Sequence, residues 1–154
     1  VKHFACNNQE ENRMAVSSVV GERALREIYL RGFEAVVREG GVKAVMTAYN
    51  RVNGVYAPNS HDLCTKVLRQ EWGFDGVVMT DWSSTRKGQA GAAAALRAGN
   101  DLMMPGSGGD RRDILQALRS GMLTEEELRR CCGNVIRAIL DSAVQRDYID
   151  DYQN

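Results

Sequence analysis

The sequence predicts an α/β fold in which about four parallel strands alternate with helices. Short, continuously apolar runs at 43–48, 77–80 and 101–104 read as strands covered on both faces. Stretches with apolar residues at helical spacing lie between them, and Gly or Pro marks most boundaries. The chain has 154 residues, 44% hydrophobic and 26% charged, enough to bury one core. A complete eight-stranded barrel takes roughly 250 residues. The alternation therefore amounts either to a small open sheet or to half of a TIM-type (β/α)8 barrel.

Taken in order, Val1 to Phe4 reads as the end of a first strand. A helix follows over about 22–39, with Leu25, Ile28, Tyr29, Ala35 and Val36 on its apolar face and Gly40-Gly41 as its stop. The strand 43–48 leads into a polar turn over 50–60, punctuated by Asn53-Gly54 and Pro58. Asn59 or Ser60 can cap a helix reaching Trp72, a residue read as packing only. Gly73 to Gly76 breaks that helix and launches 77–80. An Ala-rich helix over about 88–98 and the short strand 101–104 come next. Helices over 110–119 and 125–142 complete the fold, the second opened by a Thr124/Glu127 capping-box pattern. The reading places one partial barrel domain over 1–143 and a loose polar tail over 144–154. The chain opens on Val1-Lys2-His3 without an initiator Met, so further sequence is expected ahead of it.

Composition narrows the function. Lys plus Arg and Asp plus Glu are equal at 20 each, which argues against nucleic-acid binding, since that needs a basic excess. No apolar run approaches the roughly 20 residues of a membrane-spanning helix. Cys6, Cys64, Cys131 and Cys132, with His3 and His61, lack metal-ligand spacing, so neither a zinc site nor any cofactor is expected. Reduced, partly buried thiols are the simpler reading and point to a reducing compartment, hence a cytoplasmic location.

In parallel α/β folds the chemistry gathers at the C-terminal ends of the strands. That rule selects Lys2 and His3, Tyr49, Asp81 with Trp82, and the loop after Met104. Asp81 leaves an apolar strand and enters a polar loop. On spacing alone, a helix N-cap or turn aspartate stands level with a carboxylate nucleophile or base. Lys2 and His3 offer donors suited to vicinal hydroxyls, and Trp82 offers a face on which a sugar ring stacks. Met46 and Tyr49 sit at the top of a strand, where core packing is the favoured role for Met46. The stretch 106–110 lacks the Lys-Ser/Thr ending of a Walker loop and is expected to be a flexible active-site loop.

With these residues in place, the sequence resembles glycoside hydrolase family 3, the β-glucosidase-like group. The matching segments are KHFACNNQEENR, GERALREIYLRGFEAVV, VMTAYNRVNGVYA, LRQEWGFDGVVMTDW and AGNDLMMPG, spread over most of 2–142. The resemblance implies a (β/α)8-type barrel whose nucleophile falls on Asp81. It implies that Lys2 and His3 bind sugar hydroxyls, that Met46 and Tyr49 approach nucleophile and sugar, and that Trp82 lines the entrance. Ala5-Cys6-Asn7-Asn8 stands where a hexosaminidase-like branch carries Pro-Gly-His-Gly, which favours a β-glucosidase or β-xylosidase type. The implied reaction is retaining hydrolysis of a β-glucoside or related glycoside. Its acid/base would lie in a later domain, and the early barrel strands would lie outside this chain. The alternative is a non-catalytic half-barrel acting as a carbohydrate-binding or assembly module. Exposed strand edges are expected to favour self-association.

Overall fold

Residues 1–142 are described in the computed structural model of the chain; the tail expected over 144–154 lies outside them. Along the chain come β1 (Ser17–Ser18) and a helical run passing from α1 (Glu22–Ala24) through the π-wound Leu25–Tyr29 into α2 (Arg31–Arg38). After these lie β2 (Ala44–Met46), β3 (Arg51–Val52), β4 (Val55–Tyr56), a 3₁₀ turn at Ala57–Asn59 and a π-wound helix at Asp62–Glu71. The described chain ends with β5 (Val77–Met79), α3 (Ala92–Ala98), α4 (Gly108–Ser120) and α5 (Glu125–Leu140).

The strands that position the site form one parallel array. β2 pairs with β5, Val45 beside Val78 and Met46 beside Met79. Phe4 bridges Thr47 on one flank and Leu102 bridges Met79 on the other, both in parallel. The flanks are shorter than the sequence suggests, since each contributes a single bridge rather than a full strand. On the Leu102 side the reason is visible. The Val78 N–H, which a longer ladder would use, donates instead to the Asp101 carboxylate at 2.8 Å. Gly76 lets β5 start beside β2, for a Cβ there would stand 2.2 Å from the Lys43 carbonyl oxygen.

A small second sheet was not foreseen. β1 runs parallel to β3, and β3 turns back antiparallel into β4, so the segment expected as one polar turn contains a hairpin. Asn53 and Gly54 adopt φ of 49° and 86°, the left-handed pair that a tight hairpin turn requires. The Asn53 amide also bonds both backbone groups of Val20 at 2.9 Å, tying the turn to the start of the first helical run.

Two apolar clusters hold these layers together. Phe4, fully buried, meets Phe33 and Trp72 edge-on at 5.1 and 6.0 Å, joining the first strand segment to the helices on one side. Trp72 is thus a packing residue, as expected. The second cluster joins the small side chains of α3 to Ala117 of α4 and Cys131 of α5. The helix expected from residue 88 begins only at Ala92, leaving a turn-rich loop after β5. Gly108 to Asp110, expected in a flexible loop, instead form the first turn of α4. Ser107 caps it, accepting from the Asp110 N–H at 3.1 Å while its hydroxyl donates to the Asp110 carboxylate at 2.7 Å. The Thr124/Glu127 capping box of α5 is formed on both arms.

Candidate active site

β5 delivers Thr80 and Asp81 to the end of the parallel array, where the Phe4 flank brings His3. Asp81 is buried, and its Oδ2 lies 3.4 Å from His3 Nε2. Its Oδ1 accepts the Trp82 N–H at 2.7 Å. The first helix after it starts at Ala92, so Asp81 caps no helix. It sits in a turn, with one oxygen bonded locally and the other turned toward an imidazole.

Tyr49, from the chain just beyond β2, is buried and donates its hydroxyl to the Trp82 carbonyl at 2.7 Å. Burial first, and the Asp81 carboxylate second, push this phenol above its ordinary pKa, so it stays a proton donor. Trp82 itself is 55% exposed and stands open beside the carboxylate. Met104 ties the floor together: its N–H donates to the Thr80 hydroxyl at 3.0 Å, and its carbonyl accepts from the Ser83 N–H at 2.7 Å.

His3, Tyr49 and Trp82 therefore gather around Asp81, as the rule of strand ends anticipates. Lys2 is exposed and forms no ion pair among the described residues. Met46 is half-buried, in register with Met79. One neighbour escaped the reading of strand ends. The Arg13 guanidinium lies 4.7 Å over the Tyr49 ring and is held there by Glu10 at 2.6 Å. It comes from a loop with no periodicity, so no pattern flags it. The thiols of Cys6, Cys64 and Cys131 are buried, and burial pushes the first up to about 11 and the second up to about 12. Such groups stay protonated and take no part in nucleophilic chemistry. Chemically, the cluster offers one enclosed carboxylate with an imidazole, a phenol and an open indole around it.

Comparison with known proteins identifies the family of the chain. The model of the glycosyl hydrolase family 3 N terminal domain matches residues 1–138. A β-glucosidase of Ruminococcus albus is 43% identical over 150 residues, covering 92% of this chain and 16% of that protein. An exo-α-(1→6)-L-arabinopyranosidase of Bifidobacterium longum is 41% identical over 153 residues, covering 99% of this chain and 19% of that protein. Among solved structures, β-glucosidase 3B of Thermotoga neapolitana in complex with glucose superposes with a TM-score of 0.87 at 44% identity, over 96% of this chain and 21% of that one. The chain thus spans about a sixth to a fifth of the length of these relatives.

Proposed function

Since the chain belongs to glycosyl hydrolase family 3, we propose that it is the nucleophile-bearing half of a (β/α)8 barrel in a retaining β-glycosidase. The observation that carries this reading is Asp81 itself, enclosed at the end of β5 with one oxygen facing His3 and the other fixed by the Trp82 N–H. In the proposed reaction Asp81 attacks the anomeric carbon, and the glycosidic oxygen leaves with a proton from an acid about 5 Å away. A glycosyl ester forms, and water activated by the same acid/base residue then releases the sugar and frees the carboxylate. His3 and Lys2 bind ring hydroxyls, Tyr49 fixes the approach of the loop, Met46 closes the floor and Trp82 stacks at the entrance. The substrate class is a terminal β-linked glucosyl or similar residue, a reading supported by the similarity to the β-glucosidase of Ruminococcus albus.

Relatives several times longer than this chain leave room elsewhere for the second carboxylate that the reaction needs. The acid/base and the remaining barrel strands are therefore assigned to regions beyond this chain. The isolated 154 residues should show no turnover, because losing general acid assistance alone costs about 10²- to 10⁴-fold. They should also self-associate through the Phe4 and Leu102 flanks, where the parallel array ends on single bridges. Incubating the longer protein with a 2-fluoro-glucoside tests the assignment. A covalent label on Asp81 is the expected outcome; an active enzyme labelled on another residue would exclude it.

A further inference from the structure

We propose that Tyr56 is a positioning residue for the loop that follows Asp81, and that through this loop it sets the grip on the leaving-group side of the substrate. The inference rests on the reading of Asp81 as nucleophile. The segment 82–90 contains neither helix nor strand, and it bends through left-handed backbone at Ser83 (φ 62°) and Gly88 (φ 86°). Such a segment keeps one shape only if other parts of the fold hold it.

Two phenols from the stretch just after β2 do so. Tyr49 donates to the Trp82 carbonyl at the near end, 2.7 Å away. Tyr56 donates to the Gly88 carbonyl at the far end, 3.2 Å away. Tyr56 is itself fixed on the hairpin. It stands opposite Arg51 in the β3–β4 register, with the Arg51 guanidinium 4.4 Å over its ring and Arg51 Nη2 donating to its hydroxyl oxygen at 3.0 Å. That bond occupies a lone pair of the phenol and directs its own proton toward Gly88. β3 is anchored in turn by β1, so the hold leads back to ordered backbone.

Between the two holds the loop displays Trp82, Arg86 and Lys87, all exposed. Neither cation forms an ion pair among the described residues. The Arg86 charge nevertheless reaches Tyr49, whose acidity it raises against the opposing effect of Asp81. We place the span pinned by Tyr56 on the leaving-group side, with the sugar ring against His3 and Asp81.

The test is Tyr56→Phe in the longer protein, which removes one hydroxyl and keeps the ring. For p-nitrophenyl β-D-glucoside, KM should rise roughly 3- to 10-fold, the effect of one modest hydrogen bond, with kcat within about twofold. The inhibition constant for free glucose should stay unchanged, because glucose occupies only the sugar side. Amide hydrogen exchange over 82–90 should quicken, and Arg51→Met should give a smaller shift of the same sign. KM and exchange both unchanged would overturn the proposal, as would KM and the glucose constant rising together, which marks general loosening. If the unaltered protein cleaves no glycoside, the reading of the site fails. The exchange comparison still decides whether Tyr56 holds the loop.

Discussion

Replacing Asp101 by Ala tests how the array beneath the site is locked. Asp101 Oδ2 accepts from Arg69 Nη2 at 2.6 Å and from the Val78 N–H at 2.8 Å, and Oδ1 accepts from Asn134 Nδ2 at 2.8 Å. One carboxylate so joins the Asp62–Glu71 helix, β5 and α5. Burial pushes this carboxyl above its ordinary value, while Arg69 and the three donors pull it down. Removing one partner of a buried pair costs about 3–5 kcal/mol, mostly through the charge left behind. Arg69 would keep the Gly76 and Gly99 carbonyls, at 3.2 and 3.1 Å, and its side chain is 14% exposed. The loss should fall at the low end, about 3 kcal/mol. Equilibrium urea unfolding by circular dichroism reads it as a shift in midpoint at constant slope. Adding Arg69→Met should recover about 1–2 kcal/mol, since it removes the orphaned cation. A loss below about 1 kcal/mol for Asp101→Ala, or two substitutions that simply add, would refute the reasoning.

Other outcomes follow from single residues. Gly76→Ala should leave no folded protein in soluble expression, because its Cβ would meet the rigid Lys43 carbonyl oxygen at 2.2 Å. A thiol reagent should titrate Cys132 alone in the native chain, with Cys6, Cys64 and Cys131 reacting only after denaturant is added. Glu127 is held below its ordinary carboxyl value of 4.5, first by the Thr124 N–H and then, after the opposing effect of burial, by the Thr124 hydroxyl. Its contribution is complete above pH 4.5 and is lost as pH falls through the lower folded value. Glu127→Ala should therefore lower the unfolding midpoint at pH 7 and leave it unchanged in strong acid.

Continuous apolar runs made β2 and β5 legible, because Val45, Val77 and Val78 are buried and no polar side chain interrupts either strand. A capping box made the start of α5 legible, whereas the Ser107 cap of α4 escaped the sequence because its glycines read as a loop. β1, β3 and β4 are each two residues long, too short for any period to emerge, and only Asn53-Gly54 hinted at their turn. At the site, the position of Asp81 followed from strand order, and its partners His3, Tyr49 and Trp82 followed from the same rule. Arg13 and Tyr56 did not. Each acts through a ring contact or a hydroxyl placed by tertiary folding, and nothing in local sequence encodes that placement.

The parallel pairing of the Phe4 segment with β2 also dictates when the site can exist. Phe4 exchanges its backbone bonds with Met46 and Ala48, and His3 meets Asp81 only across β2 and β5. During synthesis His3 is made long before its partner carboxylate, on the order of several seconds earlier at roughly 5–20 residues per second. No local hairpin can store the first segment in its final place meanwhile. Until β5 emerges, the ribosome holds a chain with one half of the His3–Asp81 contact and no template for the other. Assembly of the site thus waits for β5, and a chain cut short between residues 46 and 81 would carry its imidazole with nothing for it to face.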